Sequence, residues 1–342
     1  MPRKTGILLI NLGTPDQPTK KDVRRYLTQF LTDGRVIDYP WLPRQLLVRG
    51  VIIPSRNASS TALYQRLWTK EGSPLKVYGE AVASGLRQNH PEIAVSLGMR
   101  YQNPSIASAI ESLCAAEVTD IIVFPLFPHY ASASTGSSFA EVMRVMKSRQ
   151  VIPSLHFIQD YYDHDAFLDV IVQHSQAFDL SSYDHILFSY HGIPQRHLIK
   201  ADRAGHCLGA SDCCQQLSLK NRHCYSAQSY ATTFALAKKL NLVPDQYTTC
   251  FQSRLGKDPW TQPYTSAVIK ARAALGDKKL LVFSPAFVAD CLETLVEVGF
   301  EYQEEFAESG GETIDLVPSL NDDPHWIRAI TTIIKDKIDL EI

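Results

Sequence analysis

The chain has 342 residues, of which 45% are hydrophobic and 20% charged, with a formal net charge of −2. That length suits two ordinary domains, the composition is that of a globular protein, and the near-neutral charge argues against wholesale nucleic-acid binding. No apolar run approaches the ~20 residues of a membrane span, and Met1-Pro2-Arg3-Lys4-Thr5 runs straight into a strand pattern with no room for a signal peptide. A cytoplasmic location is therefore expected, where the seven cysteines should be thiols or ligands rather than disulfides.

In chain order, the first half offers strand patterns near residues 6–11, 93–98, 120–125 and 153–158. Between them, Val23, Tyr26, Leu27, Phe30 and Leu31, and later Ile106, Ala109, Ile110 and Leu113, repeat at the spacing of one buried helix face. The second half gives strands near 185–190, 247–252, 280–284 and 313–317, then a final helix carrying Trp326, Ile327, Ile330, Ile333, Ile334 and Ile338. Alternation of this kind predicts parallel sheets. Ile7-Leu8-Leu9-Ile10-Asn11-Leu12-Gly13-Thr14-Pro15 also aligns without a gap with Ile186-Leu187-Phe188-Ser189-Tyr190-His191-Gly192-Ile193-Pro194. The prediction is an α/β protein of two similar Rossmann-like lobes, each a four-stranded parallel sheet with flanking helices. Residues 1–165 form the first lobe, 166–317 the second, and 318–342 a closing helix packed back on the first. The border itself is expected within 160–182.

Two segments break the rhythm. Residues 33–75 are rich in Pro and large apolar groups (Tyr39, Trp41, Leu42, Leu46, Val51), with Arg35, Arg44, Arg49 and Arg56 interleaved. Such a long connection reads either as a functional lip touching an anionic membrane surface or as a helix buried on the sheet. Residues 201–226 hold Cys207, Cys213, Cys214 and Cys224, enough thiolates for a tetrahedral zinc or an iron–sulfur cluster. His206 and His223 stand beside them and allow a mixed ligand set, whereas Cys114 and Cys250 read as core.

The chemistry points to the second half. His191 falls where a strand meets its loop, the sheet edge at which ligands bind in open α/β folds. Taken alone, it reads better as a core histidine bonded to a backbone carbonyl. Asp290, Glu293 and Glu297 share one face if the segment after the third strand is an α-helix. An acidic first turn answering the helix dipole is the plainer account, but this helix begins at the same edge as His191. In the first half, Tyr130-Ala131-Ser132-Ala133-Ser134-Thr135-Gly136-Ser137-Ser138 opens a helix whose N–H groups suit an anion, although simple capping explains it as well.

These residues resemble one family, the ferrochelatases, from Gly6 to about residue 335. The resemblance rests on Asn11-Leu12-Gly13-Thr14-Pro15, Glu71-Gly72-Ser73-Pro74-Leu75, Met99-Arg100-Tyr101, Ser134-Thr135-Gly136-Ser137-Ser138, Ser189-Tyr190-His191-Gly192-Ile193-Pro194, Phe251-Gln252-Ser253-Arg254 with Pro259-Trp260, and Asp290-Cys291-Leu292-Glu293-Thr294-Leu295. It implies a class II chelatase-like fold with a porphyrin cleft, and insertion of Fe²⁺ into protoporphyrin IX as the last step of haem biosynthesis. It implies His191 and Glu293 as the catalytic pair that also meets the substrate iron, with Asp290 and Glu297 as an acidic path. Leu12, Arg100 and Tyr101 would line the macrocycle; Arg56, Tyr64 and Ser73 would bind propionates. Cys291 stands where animal members have histidine, and it receives no role. Some bacterial members look similar in the four-cysteine insert, which implies a [2Fe–2S] cluster on Cys207, Cys213, Cys214 and Cys224, with zinc as the alternative. The 33–75 lip would touch the inner face of the cytoplasmic membrane, and the chain would be a monomer or homodimer. The rivals are a chelatase for another tetrapyrrole (coproporphyrin with iron, or a corrin precursor with cobalt) and a non-catalytic haem or metal carrier.

Overall fold

The computed structural model describes residues 3–210 and 212–338. The chain opens with β1 (Thr5–Gly13) and α1 (Lys20–Leu31), followed by α2 (Trp41–Leu47), α3 (Ile53–Leu67) and α4 (Pro74–Asn89). Next come β2 (Ala94–Tyr101), α5 (Ile106–Ala115), β3 (Asp120–Pro125), α6 (Ser137–Met146), β4 (Ser154–Phe157) and α7 (Asp165–Ser175). The second sheet begins with β5 (His185–His191), then α8 (Gln195–Ala201), α9 (Tyr225–Lys239), β6 (Tyr247–Gln252), α10 (Thr265–Ala274) and β7 (Lys279–Phe283). It ends with α11 (Gln303–Glu308), β8 (Thr313–Leu316) and α12 (Pro324–Lys337). Among the described residues three segments bond as π-helix: Val48–Ile52, Ser132–Gly136 and, unusually long, Leu292–Tyr302.

The strands form two four-stranded parallel sheets, ordered β2-β1-β3-β4 and β6-β5-β7-β8, as the alternating pattern predicts. β1 and β5 read as continuous apolar runs because each is paired on both edges and buried on both faces. The chain divides into two compact units: Met1–Phe127 with Ala131–Asp160 and Asn321–Ile342, and Pro128–Tyr130 with Tyr161–Leu320.

In the first unit, Leu8, Ile10, Ile121 and Val123 pack against Ile106, Ile110 and Val142. The amphipathic α12 belongs to this unit; it is capped by Asp323, whose side chain accepts from the His325 N–H, and carries a fully buried Trp326 6.5 Å from the Phe124 ring. In the second, Leu187, Cys250, Leu280 and Val282 pack against Ile269, Val298 and Phe306.

The duplication extends into the hydrogen-bond register. Leu9 pairs with Phe124 in one sheet, and its counterpart Phe188 pairs with Phe283 in the other. After β2, the Met99 N–H donates to Pro104 O; after β6, the Phe251 N–H donates to Pro263 O. The paired glycines have a steric cause. A Cβ on Gly13, at φ +115°, would sit 2.0 Å from Tyr101 O, and one on Gly192 would sit 2.7 Å from Gln252 O. The neighbouring strand's end thus occupies the side-chain space in both halves, so both turns carry glycine.

Candidate functional site

His191 is the last residue of β5, half-buried, at the point where the order β6-β5-β7-β8 reverses direction. Its ring lies 6.3 Å from both Trp260 and Phe287. Nδ1 is 2.6 Å from Gly192 O. A carbonyl only accepts, so Nδ1 carries the hydrogen in the neutral ring and Nε2 keeps its lone pair.

Glu293 lies in the first turn of the Leu292–Tyr302 π-helix, which follows β7. The α-helix expected there is replaced by i→i+5 bonding, a form that clusters at functional sites. Asp290 precedes the helix, and its carboxylate accepts from Thr294 Oγ1 at 3.0 Å. Cys291 is the N-cap. Burial first, and the adjacent Glu293 carboxylate second, push its thiol well above the usual range, so it stays protonated and donates.

Gln252 joins the histidine and the glutamate. Its carbonyl accepts from the Gly192 N–H at 2.8 Å, and its side-chain amide donates to Glu293 O at 2.9 Å. That amide also donates to Glu297 Oε2 at 3.0 Å, while the Ser253 N–H at 2.8 Å and Tyr302 OH at 2.9 Å donate to Oε1. Ser253 Oγ donates to Glu297 Oε2 as well. The Glu297 carboxylate is therefore engaged on every side. Burial, and then the Glu297 charge, raise the Tyr302 phenol far above its usual range, which keeps it a donor.

In the first unit, Leu12 is half-buried at the β1 end, and its N–H is accepted by Asn11 Oδ1. Arg100 and the buried Tyr101 converge on a residue that the sequence did not single out, Asp33. Its Oδ2 accepts from Arg100 Nη2 at 2.6 Å, Tyr101 OH at 2.9 Å and Ser137 Oγ at 2.5 Å. Burial raises the Asp33 pKa, but hydrogen bonds from Ser137 and the Arg35 N–H, the Arg100 charge and the Tyr101 hydroxyl outweigh it and hold it below the usual carboxylate range. The propionate candidates differ in exposure. Arg56 is exposed near the start of α3, Tyr64 is buried edge-on to Tyr26, and Ser73 is buried beneath the Thr14 hydroxyl.

The 33–75 segment is part buried and part exposed. Val48 and Ile53 are buried with Leu31, whereas Trp41 is 66%, Leu42 57% and Leu46 65% exposed. Of its arginines, Arg35 donates to Ser132, Arg44 to Tyr39 O and Arg49 to Gln45. Among the described residues no helix is long and apolar enough to cross a membrane.

In the cysteine segment, Cys213 and Cys214 sulfurs are 3.6 Å apart, and Cys214 also hydrogen-bonds Cys224. Burial, then the charges of Cys213 and Cys214, raise Cys207 to about 11. Asn221 ties the segment together through Cys213 O and Gln216 O, and the neighbouring histidines are occupied, His206 Nε2 with Cys213 O and His223 Nε2 with Arg222. Among the described residues, no group of three or more His, Cys, Asp or Glu side chains is arranged to hold a metal ion.

Two four-stranded parallel-sheet units of this kind make a fold shared with solved chelatases. SirB from Bacillus subtilis with Fe³⁺ superposes with a TM-score of 0.51 at 13% identity, covering 78% of this chain and 92% of that one. The sirohydrochlorin chelatase SirB from Bacillus subtilis subspecies spizizenii, in complex with cobalt, gives 0.54 at 10% identity, covering 98% and 96%. Sequence identifies the family. The ferrochelatase family model matches residues 4–338. The ferrochelatase of Legionella pneumophila (strain Paris) is 41% identical over 336 residues, covering 98% of this chain and all of that one. That of Coxiella burnetii (strain Dugway 5J108-111) is 41% identical over 338 residues, covering 98% and 95%. The chain belongs to the ferrochelatase family, enzymes that insert iron into a porphyrin.

Proposed function

We propose that this chain inserts Fe²⁺ into protoporphyrin IX, with His191 and Glu293 as the reacting pair. Insertion replaces two pyrrole protons by one Fe²⁺, so the site must take up protons and handle a cation in turn. The observation that carries the reading is the Nδ1–H bond from His191 to Gly192 O, which aims a lone pair from Nε2. That nitrogen accepts a pyrrole proton or briefly ligates iron. Glu293, kept half-buried on the π-helix, supplies the countercharge, and Asp290 extends the acidic edge. Mixed N/O ligation releases product iron readily, whereas affinity alone would favour copper over ferrous iron. Leu12 and Arg56 supply an apolar contact and a propionate cation.

Anaerobic Fe²⁺ with protoporphyrin and, in parallel, coproporphyrin tests this by absorption spectroscopy. Haem bands from protoporphyrin are expected; turnover of coproporphyrin alone would replace the substrate, and turnover of neither would leave a carrier.

The exposed Trp41, Leu42 and Leu46 face suits a membrane surface, and cosedimentation with anionic vesicles tests that role. The resemblance of the four-cysteine insert to that of some bacterial members supports a [2Fe–2S] cluster, with zinc as the alternative, and within the insert the Cys213 and Cys214 sulfurs lie 3.6 Å apart. The cluster would be held by Cys207, Cys213, Cys214 and Cys224 and would supply one-electron chemistry, through which no insertion step runs. Purified protein is expected to be brown and to lose its visible absorption in Cys214→Ser; a colourless protein with stoichiometric zinc would reverse the assignment.

A further inference from the structure

We infer that Glu297 is a positioning residue, which holds the His191 strand end against the Glu293 helix, and not a relay for iron or protons. This rests on the assignment of His191 and Glu293 above. A carboxylate offers about four acceptor sites. All four face donors here: the Ser253 N–H, Ser253 Oγ, Gln252 Nε2 and Tyr302 OH. An incoming cation or proton would have to displace one of them.

What Glu297 holds is the join between the two reacting groups. Ser253 has φ 65°, a left-handed conformation that is uncommon for a residue with a side chain, and Glu297 accepts from both its backbone and its hydroxyl. Gln252, held by the same carboxylate, donates to Glu293 O on one side. On the other its Oε1 accepts at 2.8 Å from Ser189, two residues before His191. One side chain thus spans both arms of the site, with Glu297 fixing it.

The duplicated half gives an independent argument. Aligning Phe124 with Phe283, as the strand registers require, places Ser134 at Glu293 and Ser138 at Glu297; the same register places Leu12 at His191. That half has none of the acidic side chains at these positions, yet it contains the same kind of hub. A carboxylate, Asp33, accepts from a tyrosine hydroxyl, a serine hydroxyl and the strand-end Arg100, whose Nε also donates to Ser137 in the helix region after β3. By the strand registers Arg100 is the counterpart of Gln252 in the repeat. A hub retained where there is no His–Glu pair to serve is a scaffold element.

Steady-state kinetics of Glu297→Gln, Ser253→Ala and the double variant, with Fe²⁺ and porphyrin varied separately, test this. Glu297→Gln is expected to lower kcat about ten- to a hundredfold through misplacement, with the KM for Fe²⁺ within about twofold of the parent. Ser253→Ala keeps the carboxylate and should lower kcat in the same direction, with the double variant no worse than Glu297→Gln. A raised KM for Fe²⁺ in Glu297→Gln, or full kcat in Ser253→Ala, overturns the inference. If Glu297→Gln fails to fold, Ser253→Ala decides alone. Full activity of His191→Ala would instead remove the site assignment and is read separately.

Discussion

His191→Ala is expected to reduce iron insertion by about three orders of magnitude, in line with the loss of a positioned proton acceptor, while leaving the fold intact. The side chain is half-buried at a strand end and hydrogen-bonds the next residue's carbonyl, so its removal breaks no long-range hydrogen bond. Trp260 and Phe287 remain to close the space. Circular dichroism and thermal melting should therefore match the parent. His191→Gln is the sharper control: it is polar, of similar reach, and weakly basic, so it should be nearly as inactive. Near-parental rates in either variant would remove His191 from the chemistry, whatever the fate of Glu293.

The sheets were legible because a parallel strand buried on both faces must be apolar throughout, and Ile7–Ile10 and Ile186–Phe188 satisfy that rule directly. His191 was legible for the same reason: the apolar run stops at it. Backbone bonding after β7 was not. The segment is amphipathic by any helical reading, and nothing in Leu292–Tyr302 announces i→i+5 bonds. The expectation that Asp290, Glu293 and Glu297 act as one face came from α-helical spacing. In the structure Asp290 precedes the helix and accepts from Thr294, Glu293 lies in the first turn, and Glu297 accepts from four donors. Asp33 was invisible because its partners Arg100 and Ser137 lie 67 and 104 positions away, and only the fold brings them together. The propionate contacts rested on resemblance, which carries no information on burial; Tyr64 and Ser73 prove buried and Arg56 exposed.

Asp33→Asn is expected to have the second-largest effect, through the lip rather than the reacting groups. The carboxylate stands at the start of the 33–75 segment and binds three side chains outside it, Arg100, Tyr101 and Ser137, while Arg35 adds a bond to Ser132. An amide turns one of the two carboxylate oxygens into a donor, set against either the Arg35 N–H or the Arg100, Tyr101 and Ser137 donors, and leaves the largely buried Arg100 guanidinium without its counter-ion. Loss of charge-assisted bonds of this kind costs about 1.5–3 kcal/mol. The segment should then shift relative to Leu12 and Arg100, raising the KM for porphyrin about tenfold, with the KM for Fe²⁺ unchanged. The stability term has a definite pH sign. The folded pKa of Asp33 lies below its ordinary value of 3.8, so its contribution is fully present above that value and is lost as pH falls through the lower, folded value. The melting-temperature gap between parent and Asp33→Asn should accordingly be constant from neutrality down to about pH 5, and narrow only in more acid solution. A gap that closes near pH 7 would assign the stabilisation to another group, and an unchanged porphyrin KM would leave Asp33 a purely structural anchor.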